Sequence, residues 1–162
     1  MVEIHRTEGP LISDVKEIEI EIDELPLDAA GIVEPRNVHE GRFSIYFLSA
    51  LALAEGKITT ENLTEEKVRD RELNELRKKV KAKGLSNVGL SSHVKVHMKD
   101  GITYEKYTSA PKGSSENPLT VEELKEKFMT ASALSHSAAE KVIEKIMHLE
   151  TVQSIGEILS VI

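Results

Sequence analysis

Cysteine and tryptophan are both absent from the 162-residue sequence. Without cysteine, the chain forms no disulfide, offers no thiolate nucleophile and binds no metal or iron–sulfur cluster through sulfur. Aromatic residues make up only 4% of the chain, which leaves few rings on which nucleic-acid bases stack. The formal net charge is -7, whereas nucleic-acid-binding proteins carry basic surfaces. We therefore expect no nucleic-acid partner.

Long hydrophobic runs are absent as well. The longest, residues 45–54, is interrupted by Ser49 and is far shorter than the roughly 20 residues of a membrane-spanning helix. The N-terminal residues MVEIHR lack the apolar core of a secretion signal. These features predict a cytoplasmic protein with no membrane partner. Glutamate and lysine are abundant and glutamine occurs once, a composition typical of thermophiles.

Hydropathy patterns predict an α+β fold. Ile18, Ile20 and Ile22 alternate with glutamates, which predicts a strand over 15–22 with one apolar face. The other expected elements are a loop over 23–35, a helix over 41–55 capped by Asn37 or His39 and stopped by Gly56, a charged helix over 60–83 ended by Gly84, a hairpin over 92–108, a helix over 120–134, a helix from Ser135 or Ser137, and a short helix over 151–161. The order β-α-α-β-β-α-α-α predicts a small antiparallel sheet with helices packed on one face. We expect one domain over 1–162, with 118–162 as its helical C-terminal segment.

Three of these elements carry further detail. The helix over 41–55 is apolar nearly all round, so we expect it to be buried on several sides. Thr120 and Glu123 have the spacing of a capping box. The hairpin alternation favours a three-residue turn over 99–101 with Gly101 left-handed. The pairs in this register are Met98–Ile102, Val96–Tyr104 and Lys95–Glu105.

Histidine and serine offer few catalytic arrangements. His93 and His97 lie on one strand face at a spacing that can hold a metal. Lys95 lies between them on the same face and places a cation where the metal would bind, which favours a solvated face. Ser44 lies near His39, but no nucleophile-elbow pattern surrounds it, so we expect a cap or a packing residue rather than a triad.

Two cationic residues are candidates for anion binding. Lys112 lies in a Pro/Gly/Ser loop over 110–118, which either cradles a small carboxylate through backbone N–H groups or is a plain surface loop. No phosphate or dinucleotide fingerprint is present. Arg42, at the start of the apolar helix, either binds a carboxylate bidentately or extends along the helix end. Tyr46 is a core residue or, if it reaches a cleft, a proton donor.

Several segments in a fixed order resemble the C-terminal part of the MmgE/PrpD family. This family includes 2-methylcitrate dehydratase, cis-aconitate decarboxylase and iminodisuccinate epimerase. The segments are HEGRFSI at 39–45, LAEG at 53–56, LRKKV at 76–80, KDG at 99–101, PKG at 111–113, and NPLTVEEL at 117–124 with Lys127 and Phe128. The resemblance extends over 15–159 and implies an α+β domain.

The resemblance also implies a chemistry. The family acts on small di- and tricarboxylates without a metal or organic cofactor, by proton transfer next to a carboxylate and loss of water or carbon dioxide. Its site lies in a cleft between a large helical domain and the smaller domain. We therefore expect Arg42, His39, Ser44 and Lys112 to hold substrate carboxylates, with Tyr46 as a catalytic candidate.

Three departures from the family pattern affect this expectation. The helical domain, with the principal catalytic His and Lys residues, lies outside these 162 residues. The family often has a tyrosine where this chain has Phe47, and Tyr46 is its neighbour. Gly41 stands where alanine is usual before Arg42. The apolar stripes of the last helices need another cover, supplied by this domain, a second copy or a separate chain.

Three hypotheses follow. In the first, the chain is the small subunit of a split lyase or isomerase, inactive alone, and a separate polypeptide supplies the helical domain. In the second, it is a stand-alone module that binds a small carboxylate through Arg42 and Lys112 without turnover. In the third, it is a structural homo-oligomer that associates through its last helices. We favour the first.

Overall fold

A four-stranded sheet with helices on one face organises the N-terminal part of the chain. The computed structural model describes residues 1–161, which divide into two compact units, Met1–Asn117 and the described residues from Pro118 onwards. The first unit contains α1 (Val2–Glu8), a 3₁₀ turn (Ile12–Asp14), β1 (Val15–Asp23), α2 (Glu24–Ala29), α3 (Val38–Gly41), α4 (Ile45–Glu55), α5 (Glu65–Arg69), α6 (Arg71–Arg77), β2 (Val80–Leu85), β3 (Ser92–Met98) and β4 (Thr103–Thr108). The predicted α+β class is confirmed.

The sheet is mixed rather than purely antiparallel, which corrects the prediction. The strand order is β2-β1-β3-β4, and β1 runs parallel to β2 and antiparallel to β3. The charged helix expected over 60–83 consists of α5 and α6 and ends at Arg77, so that Val80 pairs with Ile18 in the sheet. Val80 has the helical spacing of Leu73 and Leu76, so it was assigned to the helix. The alternation typical of a strand, which begins at Val80, was therefore missed. Gly84, expected to end the helix, lies inside the strand.

The hairpin register is confirmed. Val96 lies opposite Tyr104 and Lys95 opposite Glu105. The Met98 amide donates to the Ile102 carbonyl at 2.8 Å. Gly101 has a φ of 92°, a conformation that glycine adopts at little cost. The three-residue turn therefore forms as its sequence predicts.

The segment expected to be a loop over 23–35 contains the helix α2. Asp23 caps this helix, because its side chain accepts a hydrogen bond from the Leu25 amide at 3.2 Å. Pro26 is tolerated because it lies in the first turn, where backbone N–H groups have no intrahelical partner. Pro26 therefore lies in the first turn of a helix, whereas the sequence pattern had predicted a loop.

The central helix α4 is buried on two opposite sides. Phe47 and Leu51 pack against Val68 of α5 and Leu73 of α6. Ala50 and Leu53 pack on the inner face of the sheet, whose buried residues are Val15, Ile18, Ile20, Ile22, Val80, Val94, Val96 and Met98. The expected helix over 41–55 is interrupted after Gly41, and α4 begins only after Ser44. Gly56 ends it in a left-handed conformation, as predicted.

The second unit is helical within the described residues. Its elements are α7 (Val121–Ala131), α8 (His136–Met147), a 3₁₀ turn (Leu149–Thr151) and α9 (Gly156–Leu159). Thr120 and Glu123 form the expected capping box, and Ser135 caps α8. α7 ends at Ala131, short of 134, because Ser132 is extended. The helix expected over 151–161 is reduced to α9, because the backbone at Val152 is extended.

Candidate functional site

The segment that contains Arg42 is held in place by backbone pairing. The amide of Ile32 donates to the carbonyl of Phe43 at 3.1 Å, and the amide of Ile45 donates to the carbonyl of Ala30 at 2.8 Å. A side chain at Gly31 would place its Cβ 2.6 Å from the Leu27 carbonyl oxygen, so this approach requires glycine. The backbone on either side of Arg42 therefore has a fixed position.

A buried arginine contacts the loop that leads into this segment. Arg77 of α6 is only 4% exposed. Its Nε donates to Asn74 Oδ1 at 3.1 Å, and a terminal nitrogen donates to the Val33 carbonyl. A second terminal nitrogen lies 3.5 Å from a carboxylate oxygen of Glu34, whose side chain is 81% exposed. Arg77 thus ties the loop that follows Gly31 to the helix layer.

Capping interactions position the short helix that precedes Arg42. The Asn37 side chain accepts from the Glu40 amide at 2.9 Å, and the Glu40 carboxylate accepts from the Arg36 amide at 2.7 Å. The Glu65 carboxylate of α5 accepts from the Val38 amide at 3.0 Å. These bonds satisfy amides that have no partner within a helix, so the turn that presents His39 and Arg42 is well determined.

Arg42 and His39 both lie at the surface of this turn. The His39 ring contacts the ring of Phe43 edge-on, with 5.5 Å between their centroids. Within residues 1–161, the Arg42 guanidinium makes no hydrogen bond or ion pair. An exposed guanidinium with its five donors unoccupied can bind a carboxylate through two parallel hydrogen bonds. The turn therefore presents an exposed guanidinium whose donors are not used by the described residues.

Ser44 and Tyr46, the neighbouring candidates, lie deeper. Ser44 is fully buried, and its Oγ accepts from the Phe47 amide at 3.1 Å, which caps α4. Tyr46 is half-buried and packs against the sheet cluster. Phe47 is fully buried near Gly41 and Val68. Tyr46 therefore has the core contacts expected of a packing residue, whereas Arg42 and His39 are exposed.

The loop that contains Lys112 uses its own amides internally. The Gly113 amide donates to the Asn117 carbonyl at 2.7 Å, and the Ser114 amide donates to the Pro111 carbonyl at 3.1 Å. The Asn117 side chain in turn donates to the Ala110 carbonyl at 3.1 Å. Since these amides bond within the loop, they do not form an anion cradle, which was the alternative to the favoured interpretation of a plain surface loop. Binding by this loop would depend on side chains.

Lys112 lines a cavity of about 430 Å³ in the first unit. The other candidate site residues, which are His39, Arg42, Ser44 and Tyr46, do not line this cavity. Lys106 of β4 lines the same cavity, together with Thr108, Asn117 and Ser49. Sequence reasoning did not select Lys106. The hairpin register contained the signal, because it places Lys106 on the same face as Tyr104, directed towards the helices.

The two strand histidines lie on the opposite, solvent-facing side of the sheet. His93 contacts the carboxylates of Glu21 and Glu105, and His97 lies 3.6 Å from Glu19. These contacts agree with the interpretation of a solvated face. Residues 1–161 contain no group of three or more side chains arranged to hold a metal ion. No helix in the described chain has the length and apolarity needed to cross a membrane.

An ion pair stabilises the C-terminal end of α4. Burial raises the pKa of Glu55, but hydrogen bonds from Lys67 and Asn62 and the charges of Lys67 and Lys57 outweigh it and lower this pKa overall. Lys67 has a raised pKa, because Glu55 accepts its hydrogen bond and attracts its charge. The network joins the C-terminal end of α4 to α5.

The structure is an α+β domain with an exposed guanidinium at Arg42, and comparison with known proteins gives the family. The chain matches the MmgE/PrpD C-terminal domain over residues 1–151, so it belongs to that family as its C-terminal domain. It is also similar to cis-aconitate decarboxylase of Mus musculus, with 27% identity over 126 residues. The matched region covers 74% of this chain and 26% of that relative. The chain thus spans about a quarter of the curated relative it matches.

Proposed function

We propose that the chain supplies the smaller domain of a carboxylate-handling lyase or isomerase. In this proposal a helical domain from outside these 162 residues, carried by a separate polypeptide, completes the site. Family membership and similarity to a decarboxylase support the reaction class. The substrate is a small di- or tricarboxylate, and no metal or organic cofactor takes part.

The exposed guanidinium of Arg42 is the observation that carries this proposal. Its backbone is fixed on both sides, so binding a carboxylate orders the side chain but not the turn that carries it. His39 lies in the same turn and adds a hydrogen-bonding ring beside it. Ser44 acts through its cap of α4, as a positioning residue for this turn. Lys112 lines another cavity and is not needed at this site.

The residues around Arg42 do not themselves form a complete acid–base set. Arg42 has no titratable proton to transfer at neutral pH, and Tyr46 packs against the sheet. His39 is the titratable ring in this turn, and the principal acid–base groups come, in this proposal, from the helical domain. On this basis the isolated chain binds a carboxylate edge but does not turn substrate over.

Steady-state kinetics of the reconstituted pair test the proposal. The chain is combined with a polypeptide that carries the family's helical domain, and turnover is measured with cis-aconitate and 2-methylcitrate. We expect activity only with both components. Arg42→Gln should lower kcat/KM at least about tenfold, since a bidentate charge-assisted pair is lost. Arg36→Gln, an exposed arginine in the same loop, is the matched control and should leave kcat/KM unchanged.

Two results would contradict the proposal. Turnover by the 162-residue chain alone would place the acid–base groups within it. Equal kinetics for Arg42→Gln and Arg36→Gln would remove Arg42 from the site.

A second candidate function, a non-enzymatic oligomeric module, is favoured by the surface of the second unit. Leu124 and Phe128 of α7 and Ile146 and Met147 of α8 line an apolar groove of about 250 Å³ and are each more than one-third exposed. Exposed apolar patches of this kind mark association surfaces. Sedimentation velocity separates the candidates, because an oligomeric module self-associates and loses this state with Phe128→Glu.

A further inference from the structure

Cross-strand pairing on the outer face of the sheet aligns a hydroxyl, an imidazole and a carboxylate. His97 of β3 lies directly opposite Thr103 of β4, and its Nδ1 is 2.9 Å from the Thr103 hydroxyl oxygen. Its other ring nitrogen, Nε2, lies 3.6 Å from a carboxylate oxygen of Glu19 on β1. This is the order of an activated nucleophile, in which a base contacts the hydroxyl and a third group orients the base.

One tautomer of the neutral imidazole fits this arrangement. When Nδ1 carries no proton, it accepts from the Thr103 hydroxyl, and the proton on Nε2 lies on the side of Glu19. The separation of 3.6 Å is longer than a hydrogen bond, but catalytic contacts are often long in a free enzyme and shorten when substrate binds. Glu17, directly opposite His97 in the register, is paired with Lys81. Glu19 is therefore the carboxylate that orients the ring.

A bulge in β1 adds a cation to the same surface. Val15 and Ile18 are both fully buried, although a regular strand would direct them to opposite faces. The register shifts between Val15 and Glu17, and Lys16 has no partner in β3. Lys16 is therefore exposed on the outer side rather than directed into the core beside Ile18. Bulges that redirect a side chain in this way are common next to active sites.

The aligned groups share one cavity on the outer face. Lys16, Glu19, His97 and Thr103 all line this cavity, whose volume is about 350 Å³. Ile102, which is 49% exposed, adds an apolar side chain to the wall. The volume and the mixed wall suit a small uncharged molecule with a polar and an apolar part. Since Thr103 is exposed, water reaches any group attached to its oxygen.

We propose that this cavity hydrolyses short-chain acyl esters, with Thr103 as the nucleophile. The Thr103 oxygen bonds to the ester carbonyl carbon while His97 takes the hydroxyl proton, and Lys16 stabilises the negative charge on the carbonyl oxygen. The bond between the carbonyl carbon and the alcohol oxygen then breaks, and the alcohol leaves with the proton from His97. Water that gives a proton to His97 attacks the threonine ester, releases the carboxylic acid and restores the hydroxyl. Glu19 is a positioning residue for the His97 ring.

Hydrolysis of p-nitrophenyl acetate by the full chain tests the proposal. His97→Gln should lower kcat by about a hundredfold, since a positioned general base contributes on this scale. Thr103→Val keeps the shape of the side chain and suits a strand, but it should lower kcat at least about tenfold because the nucleophile is lost. His93→Gln is the matched control, because His93 lies on the same strand face but contacts carboxylates, Glu21 and Glu105, on both sides. It should keep the rate of the unaltered chain.

The acyl intermediate and the supporting residues have their own measurements. Peptide mass spectrometry should find an acetyl group on Thr103 that hydroxylamine removes, because hydroxylamine cleaves an ester but not an amide on lysine. Glu19→Gln should lower kcat about tenfold with KM unchanged, since the base is no longer oriented, and Glu19→Asp should restore part of the loss. Lys16→Met should also lower kcat, whereas Lys83→Met, which removes a lysine that pairs with Glu21, should not.

Three results would overturn the proposal. These are turnover by Thr103→Val at the rate of the unaltered chain, equal kinetics for His97→Gln and His93→Gln, and acetyl groups that all resist hydroxylamine. The residues lie outside the turn that contains Arg42, and the assay uses no helical-domain partner. Failure here therefore leaves the lyase proposal intact, and failure of the lyase proposal leaves this one intact.

Discussion

Replacement of the buried Arg77 by methionine tests how the Arg42 segment is held. Methionine keeps much of the aliphatic volume but removes the donors to Asn74, Val33 and Glu34. A hydrogen bond from a charged donor contributes roughly 1.5–3 kcal/mol, and a buried acceptor left unpaired adds to the loss. Glu34 is mostly exposed and regains water, so its contact adds little. We therefore expect the free energy of unfolding to fall by about 2–4 kcal/mol.

Urea unfolding followed by tyrosine fluorescence measures this change in the first unit alone. All three tyrosines, Tyr46, Tyr104 and Tyr107, lie before residue 118, and the chain has no tryptophan to obscure them. Arg71→Met, at an exposed position on the same helix, is the matched control and should change stability by less than about 0.5 kcal/mol. If Arg77→Met is no less stable than Arg71→Met, Arg77 does not hold the segment.

Two further predictions concern the stability of the first unit. Gly31→Ala should destabilise the first unit by roughly 1–3 kcal/mol, because its Cβ meets the Leu27 carbonyl oxygen at 2.6 Å. Gly41→Ala, whose Cβ meets side-chain carbons rather than backbone, a Val68 methyl at 3.2 Å and the Phe47 ring at 3.5 Å, should cost clearly less in the same urea assay. The folded state lowers the pKa of Glu55, so this carboxylate adds stability above its unfolded pKa and loses that stability as pH falls through its folded pKa. Glu55→Gln removes this titration and should flatten the acid limb of the plot of stability against pH. An unchanged acid limb would show that the pair with Lys67 does not contribute.

Local signals in the sequence predicted much of the first unit. The alternation of Ile18, Ile20 and Ile22 gave β1, and the Gly101 turn fixed the register of β3 and β4. These features depend on neighbours in the chain, so short-range patterns determine them. Thr120 and Glu123 likewise determine the start of α7 by themselves.

Long-range pairing explains the errors. Val80 fits a helical stripe as well as a strand, and only its pairing with Ile18, far away in the chain, decides between them. Tertiary contacts override local preference in such segments. Two parallel strands are not joined by a tight turn, so the local sequence contains no turn signal for the pairing of β1 with β2. The helix α2 was missed because Pro26 indicates a loop unless the cap at Asp23 is recognised.

The candidate site was predictable only in part, because local patterns identify residues but not their long-range contacts. Arg42 stood out through its residue type and its place before an apolar helix. Its fixed position depends on Arg77 and Gly31, which no local pattern connects with it. Lys106 was missed although the hairpin register placed it on the inner face. A charged residue at an inward position of an edge strand is the signal that would have identified it.

The structure of the chain bound to a helical-domain partner and to a carboxylate substrate analogue tests the central claim most directly. The measured quantity is the distance from the Arg42 guanidinium nitrogens to the nearest ligand carboxylate oxygens. The account predicts two contacts of about 2.7–3.2 Å, as in a bidentate pair. A ligand held entirely by the helical domain, with Arg42 in solvent, would contradict it.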